Sequence, residues 1–113
     1  MRLLVCGGRD YSDHEALFDT LDNYHAVKPI TVLIHGAARG ADMLSQSWAD
    51  QRAVETIQFP AKWNRDGKAA GPIRNKLMLT EGKPDFVLAF PGGRGTANMV
   101  KQAKAAGIAV REL

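Results

Sequence analysis

The chain predicts an α/β fold: one domain over residues 1–113, built on a five-stranded, mainly parallel sheet of order 3-2-1-4-5 with helices on both faces. Three observations predict it. Short apolar runs alternate along the chain with stretches of helical periodicity. Turns bearing glycine and arginine follow the first four of those runs, and no internal repeat, low-complexity segment or linker interrupts the rhythm. Strand–helix–strand connections are right-handed crossovers, which implies a parallel sheet and a reversal of winding between strands 1 and 4.

The elements follow in order. "RLLVC" (Arg2–Cys6) is a continuous apolar run, as in a strand buried on both faces. "SDHE" (Ser12–Glu15) has the spacing of a capping box, with the Ser12 hydroxyl and the Glu15 carboxylate each meeting an orphan N–H; Leu17, Phe18, Leu21 and Tyr24 then recur at helical spacing. Pro29 marks a turn before "ITVLIHG", whose β-branched residues favour a second strand. "GADMLSQSWADQR" reads as a helix with Leu44 and Trp48 one turn apart, and "VETIQFP" (Val54–Pro60) as a shorter, more polar strand at a sheet edge. Ala61–Gly71 is a polar loop, longer than the ~2–6 residues usual for such connections. "PIRNKLMLTEG" is a helix with Pro72 in its first turn, Ile73 and Leu77 on one face, and Gly82 as its stop. "DFVLAF" is the fourth strand, Thr96–Ala106 the last helix, ending at Gly107, and "IAVREL" the fifth strand.

A length of 113 residues suffices for one self-contained core, and 45% hydrophobic content is that of a soluble globular protein. No apolar run approaches the ~20 residues that span a bilayer, so no membrane partner is expected. The opening "MRLLVCGGRD" reads as a first strand rather than a signal peptide. The one cysteine, Cys6, allows no internal disulfide and fits a cytoplasmic setting. A net charge of +3 suits an anionic ligand but is too weak to argue for nucleic acid without a local cluster.

Chemistry gathers where the strands end. "GGRD" (Gly7–Asp10) follows the first strand, "HGAARGAD" (His35–Asp42) the second, "GPIRN" (Gly71–Asn75) the loop after the third, and "PGGRGT" (Pro91–Thr96) the fourth. All fall on one edge of the sheet. Glycine permits turns that expose consecutive N–H groups, a helix N-terminus adds a favourable field for an anion, and arginine makes bidentate bonds to phosphate. A single turn of this kind is as readily structural; four on one edge predict an anion-binding crevice. The expected ligand-binding set is Gly7, Gly8, Arg9, Gly36, Arg39, Asp42, Arg74, Asn75, Gly92, Gly93, Arg94, Gly95 and Thr96. The standard nucleotide fingerprints are absent: "GGRDYS" is not G-x-G-x-x-G, no acidic residue closes the second strand, and no G-x-x-x-x-G-K-[ST] loop occurs.

"CGGRDYSD", "HGAARGAD", "FPAKWNRDGKAAGPIRNKLML" and "DFVLAFPGGRGTANMV", in that order and spacing, resemble the SLOG superfamily, in particular its YspA-type, YpsA-related branch. The resemblance covers nearly the whole chain and implies a Rossmann-like domain that binds a nucleotide or nucleotide-derived ligand in the crevice. Two better-known relatives pull the function apart. Lonely-guy phosphoribohydrolases carry P-G-G-x-G-T-x-x-E and an Arg-Lys pair on the preceding helix. Here Pro91, Gly92, Gly93, Gly95, Thr96 and Arg74 match, but Asn75 replaces the lysine and Met99 the glutamate. Smf/DprA proteins bind single-stranded DNA and carry a motif like S-G-x-A-x-G-I-D, with which Gly36, Ala38, Gly40 and Asp42 are in step.

Cleaving an N-glycosidic bond develops positive charge on the ribose and needs an activated water, and a carboxylate serves both. Met99 serves neither, and with Val100 and Ala103 it fits an apolar helix face. The expectation is therefore a sensor or ligand-binding module without efficient catalysis. If the chain is an enzyme, Arg74, Asp42 and Asp10 are its catalytic candidates. For single-stranded nucleic acid, Trp63 or Tyr11 would be the stacking platform.

Cys6 ends a buried strand and reads as inert, with His35 the only base near enough to activate it. His35 itself reads as a loop or ligand-contacting residue, and His14 and His25 as solvated. Asp42 either stabilises a helix N-terminus or hydrogen-bonds a ribose or base. Trp63, beside Lys62, either anchors the long loop onto the core or belongs to a lid that stacks on a base. Trp48 reads as core. No metal-ligand spacing is present, so neither metal nor cofactor is expected. A homodimer through helices is compatible with the pattern, on a face the sequence does not specify.

Overall fold

The structure, a computed structural model, describes residues 1–113. Its elements are β1 (Arg2–Cys6), α1 (His14–Val27), β2 (Val32–His35), α2 (Ala41–Gln51), β3 (Glu55–Gln58), α3 (Trp63–Asp66), a 3₁₀ turn (Gly67–Ala69), α4 (Ala70–Thr80), β4 (Phe86–Ala89), α5 (Arg94–Ala105) and β5 (Ala109–Glu112). The sheet order is β3-β2-β1-β4-β5 and all pairings are parallel. Winding reverses between β1 and β4, as expected.

β1 sits at the centre, and its side chains alternate between two apolar cores. Leu3 and Val5 pack with Leu17, Leu21 and Trp48 of α1 and α2. Leu4 and Cys6 pack with Met78, Met99, Val100 and Ala103 of α4 and α5 on the other face. The indole of Trp48 is completely buried, and its N–H donates to Asp22 Oδ1 at 2.8 Å, so its polar atom is satisfied. The polar edge strand is β3, with Glu55 and Gln58 exposed. No helix is long and apolar enough to cross a membrane.

Several local readings are corrected. The cap of α1 is Asp13, not a Ser12–Glu15 box: Asp13 Oδ1 accepts from the Ala16 N–H at 3.1 Å. Two strong capping residues stand side by side, and the ionised one takes the helix end. Ile30 and Thr31 precede β2, because their N–H groups go to His25 Nδ1 and to the Met1 carbonyl rather than into the ladder. His25 is thereby half-buried and structural rather than solvated. The loop Ala61–Gly71 is largely helical, holding α3, the 3₁₀ turn and the first residues of α4. Pro72 is the third residue of α4, still within the turn whose N–H groups have no intrahelical partner. α5 likewise starts at Arg94, two residues before the expected Thr96. Ile73 and Leu77 do share a face of α4, but it is the exposed one; the packed residues are Ala70, Gly71, Asn75, Met78 and Leu79.

Candidate functional site

A cleft of about 770 Å³ opens at the C-terminal edge of the sheet, where β1 and β4 diverge. Its walls are the Gly7–Tyr11 loop, the Pro91–Thr96 turn and the start of α4, with Cys6 and Met78 at the floor. The two loops are tied by Gly8 N–H to the Pro91 carbonyl at 2.9 Å, and Gly8 in turn accepts from Ala41 N–H at 3.2 Å. Such proximity leaves no room for side chains. A Cβ on Gly7 would lie 2.6 Å from Ala41 Cβ, and one on Gly92 would lie 2.6 Å from Gly8 N. These glycines are there for packing.

Gly93 and Gly95 are different, since a Cβ on either would meet nothing within 4 Å. Gly93 is the N-cap of α5 and offers no side-chain cap. The first bond inside the helix runs from Ala97 N–H to the Gly93 carbonyl at 3.0 Å. The N–H groups of Arg94, Gly95 and Thr96 therefore point out of the helix end without a partner of their own. Consecutive free amides, bare Cα atoms and the positive end of the helix dipole form a cradle of a kind that can accept an anion.

Around that cradle the charges are mainly cationic: Arg9, Lys68, Arg74 and Arg94 line the cleft, against the carboxylates of Asp10 and Asp42. Arg74 is held firmly. Its Nη1 donates to the Gly36 carbonyl at 2.6 Å and its Nε to Asn75 Oδ1 at 2.9 Å, which leaves Nη2 for a ligand. Burial pulls its pKa down, and the neighbouring Asp42 opposes this. Asn75, only 3% exposed, sends its Nδ2 to the Gly95 carbonyl at 3.2 Å and to Asn98 Oδ1 at 3.1 Å. Gln102 Nε2 bonds the same Asn98 oxygen at 2.7 Å. Asn75 thus staples α4 to α5 and positions both Arg74 and the α5 start.

Asp42, 6% exposed, does not cap α2. Its Oδ2 accepts from Ala38 N–H at 3.2 Å, and its carboxylate reaches the cleft wall near Arg74. Burial raises its pKa against the pull of the Ala38 bond, His35 and Arg74. Burial, followed by Asp42, pushes the Cys6 thiol up to about 12, so this cysteine is a poor nucleophile.

Other expected residues lie elsewhere. Gly36 and Arg39 open onto a smaller depression beside the cleft, of about 400 Å³. Arg39 is exposed and meets Asp10 at 3.4 Å. His35 is fully buried and touches neither cavity: its Nδ1 accepts from Ala37 N–H and its Nε2 faces Gln46 Oε1 at 2.6 Å. It holds the 36–38 turn, in which Ala37 has the left-handed φ of 57°. Trp63 does not anchor the loop, since 47% of it is exposed; its ring lies under the Arg9 guanidinium, 5.2 Å from the centroid, at the boundary of both cavities. Lys62 lines neither cavity; Lys68, which carried no motif in the sequence, lines the cleft instead. Asn98 also lines it, whereas Met99, one residue on, is 0% exposed in the core beside Val100 and Ala103. Asparagine at the second position after the P-G-G-x-G-T threonine was the available signal for Asn98.

Residues 1–65 match the model of the YspA, cpYpsA-related SLOG family. The gene 61 protein of Mycobacterium phage D29 is 38% identical over 117 residues, an alignment that covers 96% of this chain and 93% of that protein. The fold, with its reversal beside the cleft, and these two matches lead to one conclusion: the chain belongs to the YspA, cpYpsA-related SLOG family, and that membership suggests a nucleotide-related binding module.

Proposed function

We propose that the protein binds a nucleotide or nucleotide-derived phosphate ligand between the Gly7–Asp10 and Gly92–Thr96 loops, as a binding module without efficient turnover. The observation that carries this reading is the uncapped start of α5, with Gly93 and Gly95 bare and Arg94 beside them. Phosphate would accept from the free N–H groups and from Arg74 Nη2 and Arg94, while Tyr11 and Trp63 offer faces for the base. The polar groups converging on the cleft are mostly donors, which suits an anion rather than a metal ion.

The test is a thermal-shift series of nucleotides and matching nucleosides. A ligand at ~100 times its Kd adds about 2.7 kcal/mol of stability. Arg94→Ala is expected to weaken phosphate-bearing ligands far more than nucleosides. No shift with any nucleotide overturns the reading.

Asp42 supports a second reading, an N-glycosidase acting on nucleoside 5′-monophosphates, because it is a buried carboxylate with a raised pKa at the cleft wall. Rapid release of free base from AMP or GMP, abolished by Asp42→Asn, would establish that reading in place of the first.

A further inference from the structure

The smaller depression adjoins the main cleft, and the two share Arg9, Ala38, Trp63 and Arg74 as a common ridge. At about 770 and 400 Å³, each falls in the ~300–1,000 Å³ range of small-molecule sites, so a mononucleotide occupies only one of them. The depression is lined by small apolar residues, Ala37, Ala38, Pro60 and Ala61, and by three guanidinium groups, Arg9, Arg39 and Arg74. Two carboxylates offset them in part, and the buried Asp42 acts on Arg74 from the side of the main cleft. Arg39 has one exposed contact with Asp10 at 3.4 Å, a kind of pair that contributes little. Arg9 rests on the Trp63 ring, and Arg74 keeps Nη2 free. The positive charge of Arg9 is among the influences that lower the Arg74 pKa, after burial, so the two cations sense each other across the ridge.

We propose that the ligand is a two-unit nucleotide, two nucleosides joined through phosphate, with one unit in the cleft against α5 and the other in the depression among Arg9, Arg39 and Arg74. This rests on the nucleotide reading above and narrows it. The phosphate bridge crosses the ridge, where an anion between Arg9 and Arg74 relieves their repulsion. The second base lies against the small apolar residues beside Trp63. A mononucleotide leaves the depression empty and its arginines only partly compensated.

Calorimetric titration of the wild-type protein with AMP, diadenosine diphosphate and the dinucleotide pApA tests this. Joining a second binding unit to the first is expected to tighten binding by roughly 10²-fold over AMP. Arg39→Ala removes an exposed side chain and leaves the fold intact; it is expected to collapse the ratio of two-unit to AMP affinity toward one. Ala61→Phe fills the depression without changing charge and is expected to do the same, with circular dichroism verifying that the variant folds. If AMP binds as tightly as both two-unit ligands, or if Arg39→Ala leaves the ratio intact, the two-unit proposal fails while nucleotide binding stands. If none of the three binds and no other nucleotide shifts the melting temperature, the nucleotide reading fails with it. If oligothymidylates bind more tightly with each added residue and with a steep loss in salt, a single-stranded chain displaces both.

Discussion

The helices α1 and α5 begin in opposite ways. At α1, the Asp13 carboxylate accepts from Ala16 N–H and the Ser12 carbonyl accepts from His14 N–H, so the helix end is completed by its own chain. At α5, the residue in the capping position is glycine, and the first amides have no acceptor in the protein. α2 and α4 lie between the two: Gly40 and Ala69 bring no side-chain cap, but the first N–H of each helix meets a carbonyl, that of Gly8 for α2 and of Gly67 for α4. The orphan donors of a helix start are thus met by a side-chain cap at α1 and left without an acceptor in the protein at α5. A helix end left incomplete inside a cleft is where binding energy can be gained, because an incoming anion supplies what the sequence withheld.

The largest expected effect comes from trying to turn α5 into the catalytic helix of the lonely-guy proteins. Met99→Glu places a carboxylate in the core among Val100 and Ala103, not in the cleft. An uncompensated buried charge costs roughly 3–5 kcal/mol. Urea denaturation should show that loss, and base release from AMP should not appear; a stable, hydrolytic Met99→Glu protein would mean that residue 99 faces the ligand.

Exchanging the two helix ends gives the next effect. Asp13→Ala should lose about 1 kcal/mol of stability and leave nucleotide affinity as it was. Gly93→Asp should gain only a few tenths of a kcal/mol, as its carboxylate caps α5, and should weaken phosphate ligands by tenfold or more (~1.4 kcal/mol). Denaturation and titration of both variants separate stability from binding. Equal affinity in Gly93→Asp and wild type would move the phosphate away from this helix end.

The smallest effect is in pH dependence. The Asp42 carboxyl has a pKa above its ordinary 3.8 in the folded protein, so the folded state holds this proton more tightly than the unfolded one. Its contribution to stability is fully present below that ordinary value and is lost as pH rises through the higher folded value. Asp42→Asn should flatten the stability profile over that window. A profile unchanged by the substitution would show that Arg74 and the Ala38 bond already offset the burial of the charge.

How far the sequence could be read depended on whether a residue's role was local. The strands were legible because buried parallel strands are apolar on both faces, as Leu3, Leu4, Val5 and Cys6 show. The parallel pairing followed from the alternation of elements, and the observed order is the expected 3-2-1-4-5. The starts of α4 and α5 were misjudged by two residues because Pro72 and Gly95 are tolerated within a first turn as well as before one. The packed face of α4 was illegible because a polar residue, Asn75, makes the contact with α5 while Ile73 and Leu77 face solvent. For the cleft, the glycine- and arginine-bearing turns could be found, but not the division of labour within them. Gly92 and Gly93 are identical as letters and opposite in role, one pressed against Gly8 and the other open, and only the neighbouring loop decides which. Trp63 depended in the same way on a partner from a distant segment, Arg9.

The exposed ring of Trp63 has an optical consequence. The protein has two tryptophans, and Trp48 is sealed in an apolar core while Trp63 stands at the mouth of both cavities. Their emission therefore separates into a blue component insensitive to acrylamide and a red one open to quenching. Anything that settles against the ridge changes only the second, so the apoprotein contains its own fluorescent reporter with a built-in internal standard.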